Sequence, residues 1–125
     1  GCRMTKTILT IDDSASIRQM VALTLKGAGL TVLEAGNGAE GLTKATTNTV
    51  HAVITDLNMP VMNGLEFLKK FRAHPAGKGV PVILLTTESD EDLKRQARES
   101  GATGWIVKPF KQDQLLAVIK KVTGA

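Results

Sequence analysis

Five residues of this sequence stand where an apolar run stops and chemistry could begin. Asp12 and Asp13 follow TILTI, Asp56 follows HAVIT, Thr86 closes PVILLT, and Lys108 closes GWIVK. One aspartate in such a place is ordinary, because Asp suits turns and helix N-caps. Three acids and a lysine on one edge are less ordinary. At an effective dielectric near 20, two carboxylates about 4 Å apart repel by roughly 4 kcal/mol, so the cluster calls for a countercharge. A divalent cation supplies one. Oxygen ligands alone favour Mg²⁺ or Mn²⁺ over Zn²⁺, and neither His51 at a strand start nor His74 at a helix end has metal-binding spacing. Mg²⁺ keeps several waters and commonly joins one or two carboxylates to a phosphate, which makes a phosphorylated group the natural missing ligand.

That convergence depends on the elements carrying these residues. Runs 7–11, 31–35, 51–55, 81–86 and 104–108 read as strands, rich in Val and Ile and mostly too continuous to have a wet face. Between them lie segments of helical period. The first places Ile17, Met20, Val21 and Thr24 on one face and can end at Gly29; the second runs from Gly36-Asn37-Gly38 to about Lys44. A third covers Leu65 to Arg72, a fourth starts near Glu91 and Asp92 and stops before Gly101, and the last aligns Leu115, Ile119 and Val122. Alternation of strand and helix predicts an α/β fold, a parallel sheet covered on both faces. In such a sheet the binding crevice lies beyond the carboxyl ends of the strands, where the five residues sit.

Composition narrows the function classes. With 125 residues, 42% hydrophobic, the chain suits one core. The net charge of +4 comes from scattered basic residues, with no basic groove bearing stacking aromatics, which argues against a direct nucleic-acid partner. A single cysteine, Cys2, forms no internal disulfide, and no apolar stretch approaches the length of a membrane span, so a cytoplasmic protein is expected. Gly1-Cys2-Arg3-Met4-Thr5 has the spacing of a myristoylation signal. The favoured reading is that Gly1 to Arg3 merely precede a native Met4.

Asp12-Asp13, TDLNMPVMNG around Asp56, ILLT ending at Thr86, and KPF at 108–110 together resemble the receiver domain of two-component response regulators, with the single-domain chemotaxis regulators nearest. The resemblance spans residues 4–125 and implies a single domain. Its fold would be a flavodoxin-like (βα)5 doubly wound parallel sheet in strand order 2-1-3-4-5. It implies that Asp56 is the phosphoacceptor, taking a phosphoryl group from a histidine kinase. Mg²⁺, or Mn²⁺, would be held by Asp12, Asp13, Asp56 and the backbone carbonyl of Asn58. Lys108 and the Thr86 hydroxyl would meet phosphoryl oxygens, Asn58 and Glu88 would tune hydrolysis, and the bond before Pro109 would be cis. Thr86 and Trp105 would form the switch, with the ring at Trp105 turning in from solvent.

The implied output is a monomer whose helix-four, strand-five, helix-five surface, including Lys94, Arg98 and Trp105, binds a partner. Such a protein is a signalling phosphoacceptor, not an enzyme acting on an external substrate. Two features depart from the chemotaxis pattern: Lys94 and Arg98 stand where an apolar face grips a flagellar motor peptide, and Trp105 replaces the usual Tyr or Phe. A role as a phosphate sink for a shared kinase is the alternative. A Mg²⁺-dependent phosphatase would need a second acid where Asn58 stands, which leaves it without a general acid. A flavin carrier would need a hydroxyl-rich phosphate loop where Asp12 and Asp13 would repel the phosphate.

Overall fold

A computed structural model describes residues 5–124. The readings of Gly1 to Met4 lie outside the described residues, as does Ala125. In chain order the elements are β1 (Thr7–Ile11), α1 (Ala15–Gly27), β2 (Thr31–Ala35), α2 (Gly38–Thr47), β3 (Ala52–Thr55), α3 (Gly64–Ala73), β4 (Val82–Thr86), α4 (Glu91–Glu99), β5 (Gly104–Val107) and α5 (Gln112–Thr123). The strands pair in parallel in the order 2-1-3-4-5, the flavodoxin-like arrangement.

Period-two alternation splits the core into two layers. Ile8, Ile54, Ile83 and Leu85 face one side, where Val21 and Leu25 of α1 and Leu115 and Ile119 of α5 cover them. Leu9, Ile11, Val53 and Val82 face the other, against Ala45 of α2 and Phe67, Leu68 and Phe71 of α3. The rings of Phe67 and Phe71, one turn apart, stack with centroids 5.3 Å apart. β3 and β4 are buried along their whole length because they have neighbours on both sides and helices on both faces. β2 and β5 are the sheet edges and are only partly covered.

Three features differ from the sequence reading. α1 buries Val21, Ala22 and Leu25, whereas Met20 is exposed: it lies about 100° round the helix from Val21, on the solvent side. The apolar type of Met20 drew the predicted face one step off. α2 runs on to Thr47, because the hydroxyls of Thr43, Thr46 and Thr47 each bond a carbonyl one turn back and add no break. A 3-10 turn at Pro75–Gly77 went unread; the His74 ring caps it by accepting the Ala76 N–H at 3.0 Å.

Two helices end in the same way. Leu30 N–H reaches Leu25 O and Gly29 N–H reaches Lys26 O, with Gly29 at φ 86°. At the end of α4, Ala102 N–H reaches Ala97 O and Gly101 N–H reaches Arg98 O, with Gly101 at φ 106°. Both are Schellman ends, which need a left-handed residue after the cap and find glycine there.

Arg72, at the end of α3, ties distant parts together. Its guanidinium donates to the carbonyls of Gly101 (2.8 Å), Val80 (2.6 Å) and Gly77, so one planar fork joins α3, the 3-10 turn, the start of β4 and the end of α4. Burial lowers its pKa, as expected for a cation held by carbonyls instead of a carboxylate. Lys offers no fork and cannot reach all three acceptors. Arg72→Lys is therefore expected to cost about 1–3 kcal/mol, read from the midpoint of urea unfolding.

Candidate functional site

The carboxyl ends of β1 and β3 are adjacent in the sheet, and this brings Asp12 beside Asp56. Asp56 N–H bonds the carbonyl of Ile11 at 2.9 Å, and Asp12 N–H bonds the carbonyl of Ala35 at 3.1 Å, so both backbones continue the sheet ladder past its last paired residues. One carboxylate oxygen each from Asp12, Asp13 and Asp56 lies within 4.8 Å of the others. Asp12 is 3% exposed, Asp56 is half-buried and Asp13 faces solvent.

The countercharge arrives from the far edge strand. Lys108, directly after β5, places Nζ 3.1 Å from Asp12 Oδ2 and 3.7 Å from Asp56 Oδ2. Its backbone N–H bonds the carbonyl of Thr86 at 2.8 Å, fixing the end of β5 to the end of β4. The Lys108–Pro109 bond is cis. The remaining oxygens are also occupied: Asp12 Oδ1 accepts the Ser14 N–H at 2.9 Å, and Asp56 Oδ1 accepts the Leu57 N–H at 2.8 Å. Burial raises the pKa of Asp56, Lys108 pulls it back, the charges of Asp12 and Asp13 push it up, and the Leu57 N–H lowers it.

The loop after Asp56 is folded back tightly. Gly64 N–H bonds Leu57 O at 2.8 Å, and a Cβ on Gly64 would lie 2.2 Å from the Asp56 carbonyl oxygen, so no larger residue fits there without moving the backbone of the acid. At the loop's tip Met62 N–H bonds Pro60 O at 2.7 Å around Val61, whose φ is 70°. This is a γ-turn in the strained, left-handed hand, unusual for a β-branched residue. Asn63 and Glu66 then form a capping box that starts α3. Asn58 is exposed within this loop.

Thr86 is buried, and its hydroxyl accepts the Glu88 N–H at 3.2 Å. The Trp105 indole Nε1–H donates to the Glu88 carbonyl at 3.0 Å. Residue 88 is thus gripped from both sides, by the hydroxyl and by the indole. The Trp105 ring is half-buried, not turned out to solvent. Trp105 also lines a cleft of about 230 Å³ with Lys94, Ala97 and Arg98 of α4, so the three surface residues singled out in the sequence border one cleft. None of the three carboxylates borders that cleft.

The donor set suits a hard divalent cation. It offers oxygens only, from carboxylates, and the exposed Asp13 leaves room for the waters that Mg²⁺ retains. The sequence reading missed Arg18 and Glu34. Arg18 Nη1 donates to the Asp12 carbonyl at 2.7 Å, and Arg18 Nε bonds Glu34 Oε1 at 3.2 Å. Neither is at a strand end, and an arginine in a helix paired with an acid in an edge strand leaves no local signature.

The raised pKa of Asp56 has a thermodynamic sign. An acid whose folded pKa exceeds its unfolded value destabilises the fold once charged; stability falls as pH rises from the unfolded pKa through the folded one. Asp56→Asn removes that cost. The variant is expected to melt above the parent at neutral pH, with the gain shrinking as pH falls toward the ordinary carboxylate range. Paired melting curves from pH 7 downward check this, and a gain that persists undiminished at low pH contradicts it.

Residues 8–120 match the response regulator receiver domain. Chemotaxis protein CheY1 of Helicobacter pylori is 39% identical over 119 residues, covering 94% of this chain and 96% of that protein. The phosphate regulon transcriptional regulatory protein PhoB of Pseudomonas aeruginosa is 35% identical over 117 residues, and there the match takes in 51% of the protein. Among solved structures, chemotaxis protein CheY4 of Vibrio cholerae superposes with a TM-score of 0.92 at 44% identity, over 95% of this chain and 99% of that one. With three aspartates and a lysine gathered at the carboxyl ends of a 2-1-3-4-5 sheet, the chain belongs to the response regulator receiver domain family.

Proposed function

We infer that this chain is a phosphoacceptor: Asp56 takes a phosphoryl group from the phosphohistidine of a histidine kinase, and the modified domain then engages a protein partner. The observation that carries this is the half-buried Asp56 carboxylate, held by the Leu57 N–H at one oxygen and facing Lys108 with the other. Oδ2 is the oxygen left to attack phosphorus. The O–P bond forms as the N–P bond of the phosphohistidine breaks, and the imidazole nitrogen leaves with the bonding electron pair. No external substrate is turned over, in keeping with a signalling protein.

A nucleophilic carboxylate must be ionised. Burial opposes ionisation, and Lys108 favours it. Mg²⁺, held by Asp12, Asp13, Asp56 and the Asn58 carbonyl, would supply charge stabilisation to the transferring group. Lys108, already among the carboxylates, is placed to follow charge onto a phosphoryl oxygen. The Thr86 hydroxyl would meet another such oxygen, and Asn58 and Glu88 would set the rate at which water removes the group.

Output follows from the grip on residue 88. Drawing the Thr86 hydroxyl toward the phosphoryl group withdraws it from the Glu88 N–H, and the same residue carries the acceptor for Trp105. The ring and the α4 cleft beside it would respond together, a local bond biasing a two-state element. The existence of a cleft lined by Lys94, Arg98 and Trp105 favours a binding output over a phosphate sink.

Two experiments test this reading. Acetyl phosphate with Mg²⁺ is expected to add about 80 Da, one phosphoryl group, to the parent and nothing to Asp56→Asn. Labelling of the variant at the parent's level would move the acceptor elsewhere. Trp105 is the only tryptophan, so its emission reports the switch directly. Beryllofluoride with Mg²⁺, an acyl-phosphate mimic, is expected to shift emission toward the blue as the ring seats more deeply, and Thr86→Ala to suppress the shift. Unchanged emission in protein shown by titration to have bound the mimic would remove Trp105 from the switch.

A further inference from the structure

We propose that Arg18 is a positioning residue for the cation site: it holds the backbone of Asp12 from behind, so that the Asp12 and Asp13 carboxylates are set before any cation arrives. This rests on the reading of the three acids as a Mg²⁺ site.

Asp12 is fixed at every polar atom. Its N–H goes to the Ala35 carbonyl, Oδ1 to the Ser14 N–H, Oδ2 to Lys108, and its carbonyl oxygen to Arg18 Nη1 at 2.7 Å. Three of these partners are backbone groups of the same layer or the catalytic lysine itself. Arg18 is the fourth, and it reaches back from the second turn of α1, where Arg18 N–H closes the first helical bond onto Ser14 O at 3.0 Å. The contact therefore locks the Asp12–Asp13–Ser14 corner between the end of β1 and the start of α1.

Arg18 is in turn aimed by β2. Its Nε bonds Glu34 Oε1 at 3.2 Å, and the two side chains are 21% and 35% exposed. An arginine serving as a charge balance would turn its fork onto the carboxylates. This one donates to a neutral carbonyl, and its charge is answered by Glu34.

Charge and position predict opposite outcomes, and this makes the proposal testable. If Arg18 mattered through its charge, removing a nearby cation would tighten Mg²⁺ binding, and neutralising Glu34 would weaken it. If it matters through position, Arg18→Met weakens Mg²⁺ binding by about tenfold, the lower end of what loss of an outer-shell partner costs a metal site. Arg18→Lys, which keeps the charge and one donor, loses less. Glu34→Gln, which keeps an acceptor for Nε, stays close to the parent.

Calorimetric Mg²⁺ titration of the parent and the three variants reads these affinities. Two further readouts separate position from general damage. In metal-free protein the Ser14 amide, which bonds Asp12 Oδ1, is expected to exchange faster in Arg18→Met than in the parent. With acetyl phosphate, the Mg²⁺ concentration for half-maximal labelling is expected to rise while the rate at saturating Mg²⁺ stays at the parent's value. Parent-like or tighter Mg²⁺ binding by Arg18→Met overturns the proposal. Should that variant not fold, parent-like affinity in Arg18→Lys overturns it. A parent that binds no Mg²⁺ overturns both this proposal and the reading beneath it, whereas Mg²⁺-dependent labelling of the parent with unaltered variants overturns this proposal alone.

Discussion

Asp12 and Asp56 are carboxylates on neighbouring strands that cannot both be charged and buried without a cation between them, and much of the architecture answers that constraint. Their adjacency exists only because β3 returns beside β1, the crossover that puts strand order at 2-1-3. The cation that meets them in this structure, Lys108, comes from the opposite side of the sheet, 96 residues along the chain from Asp12. Its reach is set by backbone as well as side chain, since the Lys108 N–H is fastened to Thr86. The site is a clamp whose two jaws are strand ends, and the two core layers keep the jaws aligned.

The strand-end rule explains how much of this was legible in the sequence. Short apolar runs located the five strands to within a residue, and four of the five residues singled out at their ends met, Thr86 bonding Glu88 instead. Asp12, Asp13, Asp56 and Lys108 needed no side-chain geometry to be found, because a parallel sheet delivers its strand ends to one edge whatever the loops do. Helix faces were less legible where apolar type and helical phase disagreed, as at Met20. Arg18 and Glu34 were illegible for a different reason: the first binds a backbone carbonyl, which has no sequence signature, and the second lies inside an edge strand, one residue before its end. The γ-turn at Val61 was likewise hidden, because a valine gives no hint of a positive φ.

The surroundings of Asp56 make its charged form costly. Burial raises its pKa and so destabilises the charged form, while the tight return of the loop leaves no room for a side chain at Gly64 beside its carbonyl. The hydroxyl of Thr86 and the indole of Trp105 converge on residue 88, one on its N–H and the other on its carbonyl, so the backbone of a single residue links the end of β4 to β5.

The Arg72 fork gives α4 a mechanical asymmetry. At its C-terminal end the helix is closed by a Schellman turn, and the carbonyl of Gly101 is bound to a guanidinium that also grips the start of β4. At its N-terminal end it begins on an exposed Asp90 cap and buries no side chain before Ala97. A rod fixed at one end and loose at the other does not translate; it swings. Any displacement that leaves the fork intact is a rotation about Gly101, small beside Ala97 and growing toward Glu91, so the end of α4 nearest residue 88 travels farthest for the least broken structure.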